Sequence, residues 1–254
     1  RDLHSLRRRQ RQMCIRDSNN IAVLDDMFML NKKRAKEISE GIIERDLNIY
    51  WGASSRVDII DYKTLKIMKK AGCTAIYVGV ESGDPKVLKW YRKGITLEQA
   101  RRAVAIAKKA GVRILTSFIM GAPVENLDSI NKTIKFAMEL NPDYVQFTIL
   151  TPYPGTWLYD YALKHNLLLT KDWRKYDTQT PVMKLPYITP GKLKELLLKA
   201  YLKFYLRPSY LKERIKYGEI MLVTTAIIGG LKTAIKTIAH KIKLAIQSIS
   251  SDLV

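Results

Sequence analysis

Five short motifs place carboxylates, hydroxyls or glycines directly after apolar segments and before helical patterns. They occupy residues 24–28, 55–58, 79–83, 118–123 and 151–156. Carboxylates and hydroxyls can bind ammonium groups and sugar hydroxyls, and glycines let a ligand approach the backbone closely. In a βα barrel the carboxyl ends of the strands converge on one mouth. The spacing therefore predicts a ligand site at the mouth of a half-barrel or a larger barrel.

Alternating strand and helix patterns position these motifs. The predicted strands cover residues 21–25, 48–53, 75–81, 114–120 and 144–150, and the predicted helices cover 32–45, 61–71, 96–110 and 127–140. Asp61 and Thr96 are expected helix N-caps, and Gln99 completes a capping box with Thr96. Glu125 could cap the helix that follows it. The strands recur at intervals of about thirty residues, which is typical of βαβ units and predicts a parallel sheet.

Read in order, the motifs resemble the radical S-adenosylmethionine (SAM) superfamily, most closely its cobalamin-binding branch of methylases and cyclases. The resemblance covers residues 21–185 and rests on three motifs in combination. These are Gly-Val-Glu-Ser-Gly at 79–83, Val-Leu at 87–88 with Arg-Lys-Gly at 92–94, and Pro-Tyr-Pro-Gly-Thr at 152–156. The resemblance implies an α/β fold, a partial (β/α)6 TIM-like barrel that lacks its first strand here, with a C-terminal helical extension.

The resemblance also implies cofactors. Members of the family bind SAM and hold a [4Fe–4S] cluster with three cysteines spaced Cys-x-x-x-Cys-x-x-Cys, and this branch adds cobalamin on a separate domain, expected before Ile21. The present chain has two cysteines, Cys14 and Cys73, so no metal ligands are assigned and the chain is expected to be inactive as given. The intact enzyme is expected to generate a 5′-deoxyadenosyl radical and to act as a methylase or cyclase. The alternative is a non-catalytic barrel remnant or a membrane-surface-associated protein.

Several carboxylates and one guanidinium are candidate SAM ligands by this resemblance. Asp25 and Asp26 would receive the amino group of SAM, and a cap for the next helix is the alternative. Glu81 ends an apolar strand, where a carboxylate needs a partner, and the ribose, the methionine end of SAM or Arg92 could supply one. A structural ion pair is the alternative for Glu81. Arg92 would bind the SAM carboxylate, and otherwise it is a surface arginine.

Two further groups of residues complete the predicted cofactor site. Ser55 and Arg56 follow the second strand and are expected to face the same mouth. Arg56 would contact SAM or balance Glu81, with a fold-stabilising pair as the alternative. The resemblance implies that the backbone of Met120, Gly121 and Pro123 cradles adenine, although such a sequence also forms a tight turn. No catalytic residue is assigned.

The ends of the chain differ from its centre. Residues 1–18 resemble a translated sequencing adapter, which predicts that they are not native and that the true N-terminus is missing. The three predicted segments are thus 1–18, a core barrel at 19–185 and a basic helical extension at 186–254. Isoleucines recur at three- and four-residue steps beyond residue 234 with lysines among them. This pattern predicts an amphipathic helix that contacts a membrane surface through 220–250, or that packs on protein instead.

Charge is concentrated at the two ends. The formal net charge is +20, and the first seventeen residues hold six Arg and two Asp, whereas residues 190–254 hold twelve basic and four acidic residues. No nucleic-acid-binding module is evident, so nucleic acid is not an expected partner. The expected substrate is a small molecule or a lipid of unknown identity. The predicted location is cytoplasmic, with peripheral membrane contact as a further expectation.

Overall fold

A computed structural model describes residues 19–216 of the chain. Five parallel strands form one sheet in chain order, which curls into a half-barrel. The strands are β1 (Asn20–Ala22), β2 (Tyr50–Arg56), β3 (Cys73–Glu81), β4 (Arg113–Met120) and β5 (Tyr144–Ile149). The predicted α/β partial barrel and its five parallel strands are confirmed.

Eight α-helices occur in residues 19–216. They are α1 (Lys32–Glu44), α2 (Tyr62–Lys70), α3 (Pro85–Trp90), α4 (Leu97–Ala110), α5 (Leu127–Leu140), α6 (Trp157–Lys164), α7 (Pro190–Tyr205) and α8 (Pro208–Lys216). The chain divides into two compact units, one ending at Leu197 and the other beginning at Leu198. The sheet and its crossover helices belong to the first unit, which contains every predicted site residue.

The two faces of the sheet are chemically different. In β3, Ile76, Val78 and Val80 are at most 1% exposed, whereas the alternate residues are half-buried or exposed. Successive side chains of a strand point to opposite faces, so the buried set packs against the crossover helices. The other set, which includes Tyr77 and Glu81, lies on the concave face. A ligand at the mouth would meet this second set.

Local signals predict most helix boundaries correctly. The Asp61 carboxylate accepts from the Thr64 amide at 2.9 Å, and Thr96 and Gln99 form the expected capping box. The short helix α3 is absent from the prediction because its few residues carry no clear period. The second strand ends at Arg56 rather than at residue 53, because its pairing with β3 continues to Gly79.

Parallel register brings one residue from each of four strands into a row. Arg56 of β2 lies opposite Gly79 of β3, Gly79 lies opposite Ser117 of β4, and Ser117 lies opposite Gln146 of β5. All four have the parity of the concave face. Arg56 and Gly79 lie near the carboxyl ends of their strands, whereas Ser117 and Gln146 lie three residues before the ends of β4 and β5.

The described part of the second unit contains a small aromatic cluster. The rings of Phe204 and Tyr210 have centroids 5.4 Å apart, and Tyr205 lies 5.3 Å from Tyr210. The Arg207 guanidinium sits 3.9 Å from the Phe204 ring centre. Such cation–π contacts stabilise the turn between α7 and α8.

Among residues 19–216, none of the helices has the length and apolar character needed to cross a bilayer. The predicted adapter-like segment at 1–18 and the predicted membrane contact at 220–250 lie outside the described residues. Both stay predictions.

Gly83 provides a test of how β3 is fixed to α5. A Cβ at position 83 would lie 2.6 Å from the Phe136 Cβ and 2.8 Å from the Lys132 carbonyl oxygen. Because the backbone would have to move, we expect Gly83→Ala to lower the free energy of unfolding by about 2 kcal/mol in urea denaturation. Gly191→Ala is the matched control, since nothing lies within 4 Å of a Cβ there. An equal effect of both substitutions would contradict the packing described.

Candidate functional site

The central feature of the mouth is an ion pair between the end of β3 and the turn after α3. The Lys93 ammonium lies 2.6 Å from the Glu81 Oε1 atom, and the Glu81 side chain is 13% exposed. The two charged groups lie directly above Gly79. A Cβ at position 79 would collide with Glu81 Oε1 and would lie 2.9 Å from Lys93 Nζ. The glycine thus makes room for two charged groups on the concave face.

Backbone irregularity places the Glu81 carboxylate there. Glu81 has φ of 69°, a left-handed conformation that is uncommon for residues other than glycine. The register between β3 and β4 shifts between Gly79 and Glu81, so that Glu81 lies opposite Phe118. Strained backbone of this kind persists only where the surroundings enforce it, and it is often found at functional sites. The salt bridge to Lys93 is one such enforcing contact.

Arg56 lies beside this pair without joining it. Its guanidinium donates two hydrogen bonds to the Asp58 carboxylate, at 3.0 and 2.9 Å, and a longer one of 3.4 Å to the Lys93 carbonyl. The hydrogen bonds from Arg56 hold the pKa of Asp58 below its usual value. Arg56 does not balance Glu81, because its guanidinium is paired with Asp58. The ends of β2 and β3 nevertheless carry two ion pairs, Arg56–Asp58 and Lys93–Glu81.

Asp25 is held by its own segment of the chain. Its carboxylate accepts from the Met27 amide at 3.0 Å and forms an ion pair with Arg34 of α1. These contacts, the backbone hydrogen bond first, lower the pKa of Asp25. Asn31, and neither Asp25 nor Asp26, caps α1. The helix-cap alternative is therefore wrong for both aspartates, and their role in binding SAM stays a prediction.

Two predicted site residues lie elsewhere than expected. Ser55 is 5% exposed and has the parity of the helix-covered face, so Ser54 rather than Ser55 belongs to the concave face. Arg92 does not pair with Glu81. It is exposed and lines a cavity of about 480 Å³ together with Leu88 and Ile95. The backbone of Arg92 has φ of 50°, and this turn brings the next side chain to the mouth instead.

The predicted adenine segment is a tight turn fixed by a buried carboxylate. Gly121 has φ of 95°, and Glu125 Oε2 accepts from the amides of Gly121 and Ala122 at 2.6 and 2.8 Å. Met120 is fully buried among the residues of the helix-covered face, whereas Pro123 is half-buried. Because two amides of the turn are already bound, any contact to adenine must use other atoms of this segment.

Glu125 does not cap α5, since Asn126 and Ser129 form the capping box of that helix. Glu125 is completely buried, and burial raises its pKa to about 7. The charge of Asp84 also raises this pKa, whereas the hydrogen bonds from the amides of Ala122 and Gly121 lower it. Its hydrogen bonds indicate that the carboxyl group stabilises the turn at Gly121. From the sequence, a helix cap and a binding role are equally open for Glu125, and the turn is not predicted.

The start of α3 is anchored to α5 behind the mouth. The hydroxyls of Ser82 and Thr133 are 3.0 Å apart, and the Thr133 hydroxyl also accepts from the Gly83 amide. Lys132 forms an ion pair of 3.3 Å with Asp84. These contacts hold residues 82–84 against α5. They thereby help to position Glu81 for its salt bridge with Lys93.

The cysteines do not fit the iron–sulfur cluster that the resemblance implies. Cys73 is the single cysteine in residues 19–216, and burial raises the pKa of its thiol to about 12. It lies at the amino end of β3, on the opposite end of the strand from Glu81. Within the same residues no cluster of three or more His, Cys, Asp or Glu could hold a metal ion. We therefore assign no cluster chemistry to this chain's residues.

Lys93 is the site residue that the sequence analysis missed. The sequence identifies Lys93 only as part of the Arg-Lys-Gly motif. The family resemblance and the match of a guanidinium to a carboxylate both favour Arg92. A signal was available: Gly94 permits a turn in which one of the two basic side chains faces inward. The sequence does not show which of the two does so.

Removing the Lys93 charge tests the ion pair. Lys93→Met leaves the largely buried Glu81 carboxylate without its partner, so we expect the free energy of unfolding to fall by about 2 kcal/mol. Adding Glu81→Gln should restore part of this loss, because the unpaired charge is then gone. Chemical denaturation measures both effects, with Lys89→Met on the exposed face of α3 as control. A loss of the same size for the control would contradict the pairing.

The buried Glu125 carboxyl predicts a pH dependence of stability. Its pKa rises from 4.5 in the unfolded chain to about 7 in the folded one, so the folded state favours the protonated form. The resulting stabilisation is complete below pH 4.5 and is lost as the pH rises to about 7, an effect of about 3 kcal/mol. Glu125→Gln should flatten this part of the profile of unfolding free energy against pH. Parallel profiles for the two proteins would contradict the assignment.

Comparison with known proteins places this architecture in a family. The sequence model of the radical SAM superfamily matches residues 1–137, slightly more than half of the chain. The match includes residues 1–18, which the sequence analysis excludes from the native protein, and that exclusion stays a prediction.

Two curated relatives cover most of the chain. An uncharacterized methyltransferase of Pyrococcus horikoshii is 50% identical over 212 residues, which are 84% of this chain and 46% of the relative. The anaerobic magnesium-protoporphyrin IX monomethyl ester cyclase of Rubrivivax gelatinosus is 30% identical over 222 residues, covering 84% of this chain and 38% of the relative. The chain thus spans less than half the length of either protein.

One similar solved structure is that of the radical SAM methyltransferase TsrM from Kitasatospora setae, with cobalamin and a [4Fe–4S] cluster bound. The similarity covers 51% of the present chain and 27% of the TsrM chain. The TM-score is 0.47 at 20% identity. The family match, together with the parallel half-barrel and its polar mouth, shows that the chain belongs to the radical SAM superfamily of enzymes.

Proposed function

We propose that this chain is the SAM-binding part of a cobalamin-dependent radical SAM methylase or cyclase. The observation that carries the proposal is the Glu81–Lys93 pair above Gly79, with Arg56 beside it at the carboxyl ends of β2 and β3. Family membership supports SAM as the ligand and radical chemistry as the reaction class. The names of the two curated relatives support methyl transfer or cyclisation.

Opposite charges at the mouth suit the two ends of SAM. The Lys93 ammonium is a donor for the carboxylate of the methionine part, and the Glu81 carboxylate is an acceptor for ribose hydroxyls. The Lys93 and Glu81 side chains are already ordered by their ion pair. Little conformational entropy is therefore lost when a ligand takes over some of the hydrogen bonds of this pair. Asp25 and Asp26, which follow β1, remain candidates for the amino group.

The cluster and the cobalamin would be held by parts of the enzyme other than residues 19–216. When bound there, the cluster would supply the electron for the cleavage of SAM. The contribution of the present residues is to bind SAM, to orient it at the mouth and to limit access of water. The substrate, a small molecule or a lipid, is not assigned to any residue.

SAM binding to the full chain tests this proposal without the cofactors. We expect equilibrium dialysis with radiolabelled SAM to detect saturable binding, and Lys93→Gln to weaken it by about tenfold, the loss of one charge-assisted hydrogen bond. Arg92→Gln should change the affinity little, because that side chain is exposed and the partner of Glu81 is Lys93. Circular dichroism of each variant controls for folding.

The absence of saturable binding to the folded native chain would refute the proposal and favour the non-catalytic barrel remnant. A larger effect of Arg92→Gln than of Lys93→Gln would instead restore the original assignment of the carboxylate partner to Arg92.

A further inference from the structure

Asp58 is a carboxylate at the mouth whose side-chain hydrogen bonds are with Arg56. It lies in the one-turn 3-10 helix Val57–Ile59 that follows β2, and it accepts from the Arg56 guanidinium at 3.0 and 2.9 Å. The Arg56 and Asp58 side chains are 32% and 23% exposed, so the pair is shielded from much of the solvent. The planar fork of a guanidinium matches a carboxylate, which fixes the orientation of the group as well as its position.

Arg56 stands beside a second carboxylate. In the register of β2 and β3, Arg56 lies opposite Gly79, and paired strands are about 4.8 Å apart. The Glu81 carboxylate lies directly above Gly79, so it is a neighbouring acceptor on the concave face. Glu81 nevertheless pairs with Lys93, at 2.6 Å, while Arg56 pairs with Asp58. Two bases and two acids thus form two separate pairs, although Arg56 and Glu81 belong to adjacent strands.

The same guanidinium also reaches the turn that carries Lys93. Arg56 Nη2 lies 3.4 Å from the Lys93 carbonyl oxygen, and the Lys93 amide donates to the Leu88 carbonyl at 3.4 Å. Both neighbours of Lys93 have positive φ, 50° for Arg92 and 66° for Gly94. A residue other than glycine keeps such a conformation only where its surroundings enforce it. The contact from Arg56 joins this turn to the end of β2 and is one of the contacts that hold it.

We propose that Asp58 is a positioning residue for SAM, acting through Arg56. Asp58 holds the Arg56 guanidinium away from Glu81. The same pairing keeps the guanidinium against the Lys93 carbonyl, so that the Lys93 ammonium stays above Gly79. This inference rests on the proposed function, in which that ammonium binds the carboxylate of SAM. Removal of the Asp58 charge frees Arg56 to compete for Glu81, and the orientation of Lys93 is lost.

The role predicts a loss of affinity confined to one part of the ligand. Lys93 binds the amino-acid part of SAM, whereas 5′-methylthioadenosine carries the same nucleoside without that part. Asp58→Asn should therefore weaken SAM binding about fivefold and leave the binding of 5′-methylthioadenosine unchanged. Equilibrium dialysis of the full chain with each radiolabelled ligand measures the two affinities.

Asp172→Asn is the matched control. Asp172 accepts from the Arg174 guanidinium at 2.9 and 3.0 Å, and the two residues are separated by one position, as Arg56 and Asp58 are. Within residues 19–216 the side-chain hydrogen bonds of Arg174 are with Asp172, and they do not connect it to residues 92–94. We expect this substitution to leave both affinities unchanged.

Two further variants separate the role from folding. Arg56→Lys keeps the positive charge but lacks the fork that bonds both oxygens of Asp58, so it should produce the same ligand-selective loss. It also carries the test if Asp58→Asn does not fold, as judged by circular dichroism. In a Lys93→Gln background, Asp58→Asn should cause no further loss of SAM affinity, because the group that it positions is absent.

Equal losses for SAM and 5′-methylthioadenosine would overturn the positioning role, as would an undiminished effect of Asp58→Asn in the Lys93→Gln background. Unchanged SAM affinity of the folded Asp58→Asn protein would also overturn it. If the native chain does not bind SAM, the proposed function fails, and the role in SAM binding fails with it. The link between Asp58 and Lys93 is then decided by urea denaturation of Asp58→Asn, Lys93→Met and the double variant. Non-additive losses of unfolding free energy support the link, and additive losses refute it.

Discussion

The salt bridge between Glu81 and Lys93 is the interaction on which the arrangement of the mouth depends. It joins the end of β3 to the turn after α3, and it holds a glutamate in a left-handed backbone conformation at a register shift. The anchoring of Gly83 and Asp84 on α5 fixes one end of this connection. Without the pair, a largely buried carboxylate would face the concave surface alone, at a considerable cost in stability.

The sequence predicts the scaffold better than the site. Short apolar runs and helical patterns, together with caps at Asp61 and Thr96, define five strands and most helices, because these signals are local. The choice between Arg92 and Lys93 is not local. It depends on the positive φ of Arg92, which turns one side chain outward and the next inward. Neighbouring residues with similar chemistry cannot be separated without that angle.

The same limit explains Ser55 and Glu125. The second strand extends to Arg56, and strand parity then sends Ser54 to the concave face and Ser55 to the helices. A shift of one residue reverses every side chain of a strand, so a small uncertainty in phase changes the predicted site. For Glu125, the neighbouring Asn126 takes the cap, which leaves the carboxylate to the turn behind it. Competition between adjacent capping residues is decided by backbone geometry.

Gly79 has a consequence for how related sequences diverge. The backbone pairing of β3 does not itself require glycine at this position, because main-chain atoms form the hydrogen bonds of a parallel sheet. The space above it, however, is occupied by Glu81 and Lys93. A single methyl group there would leave the barrel intact and displace both charges. Related sequences with a side chain at residue 79 are therefore expected to retain the fold without this arrangement of charges.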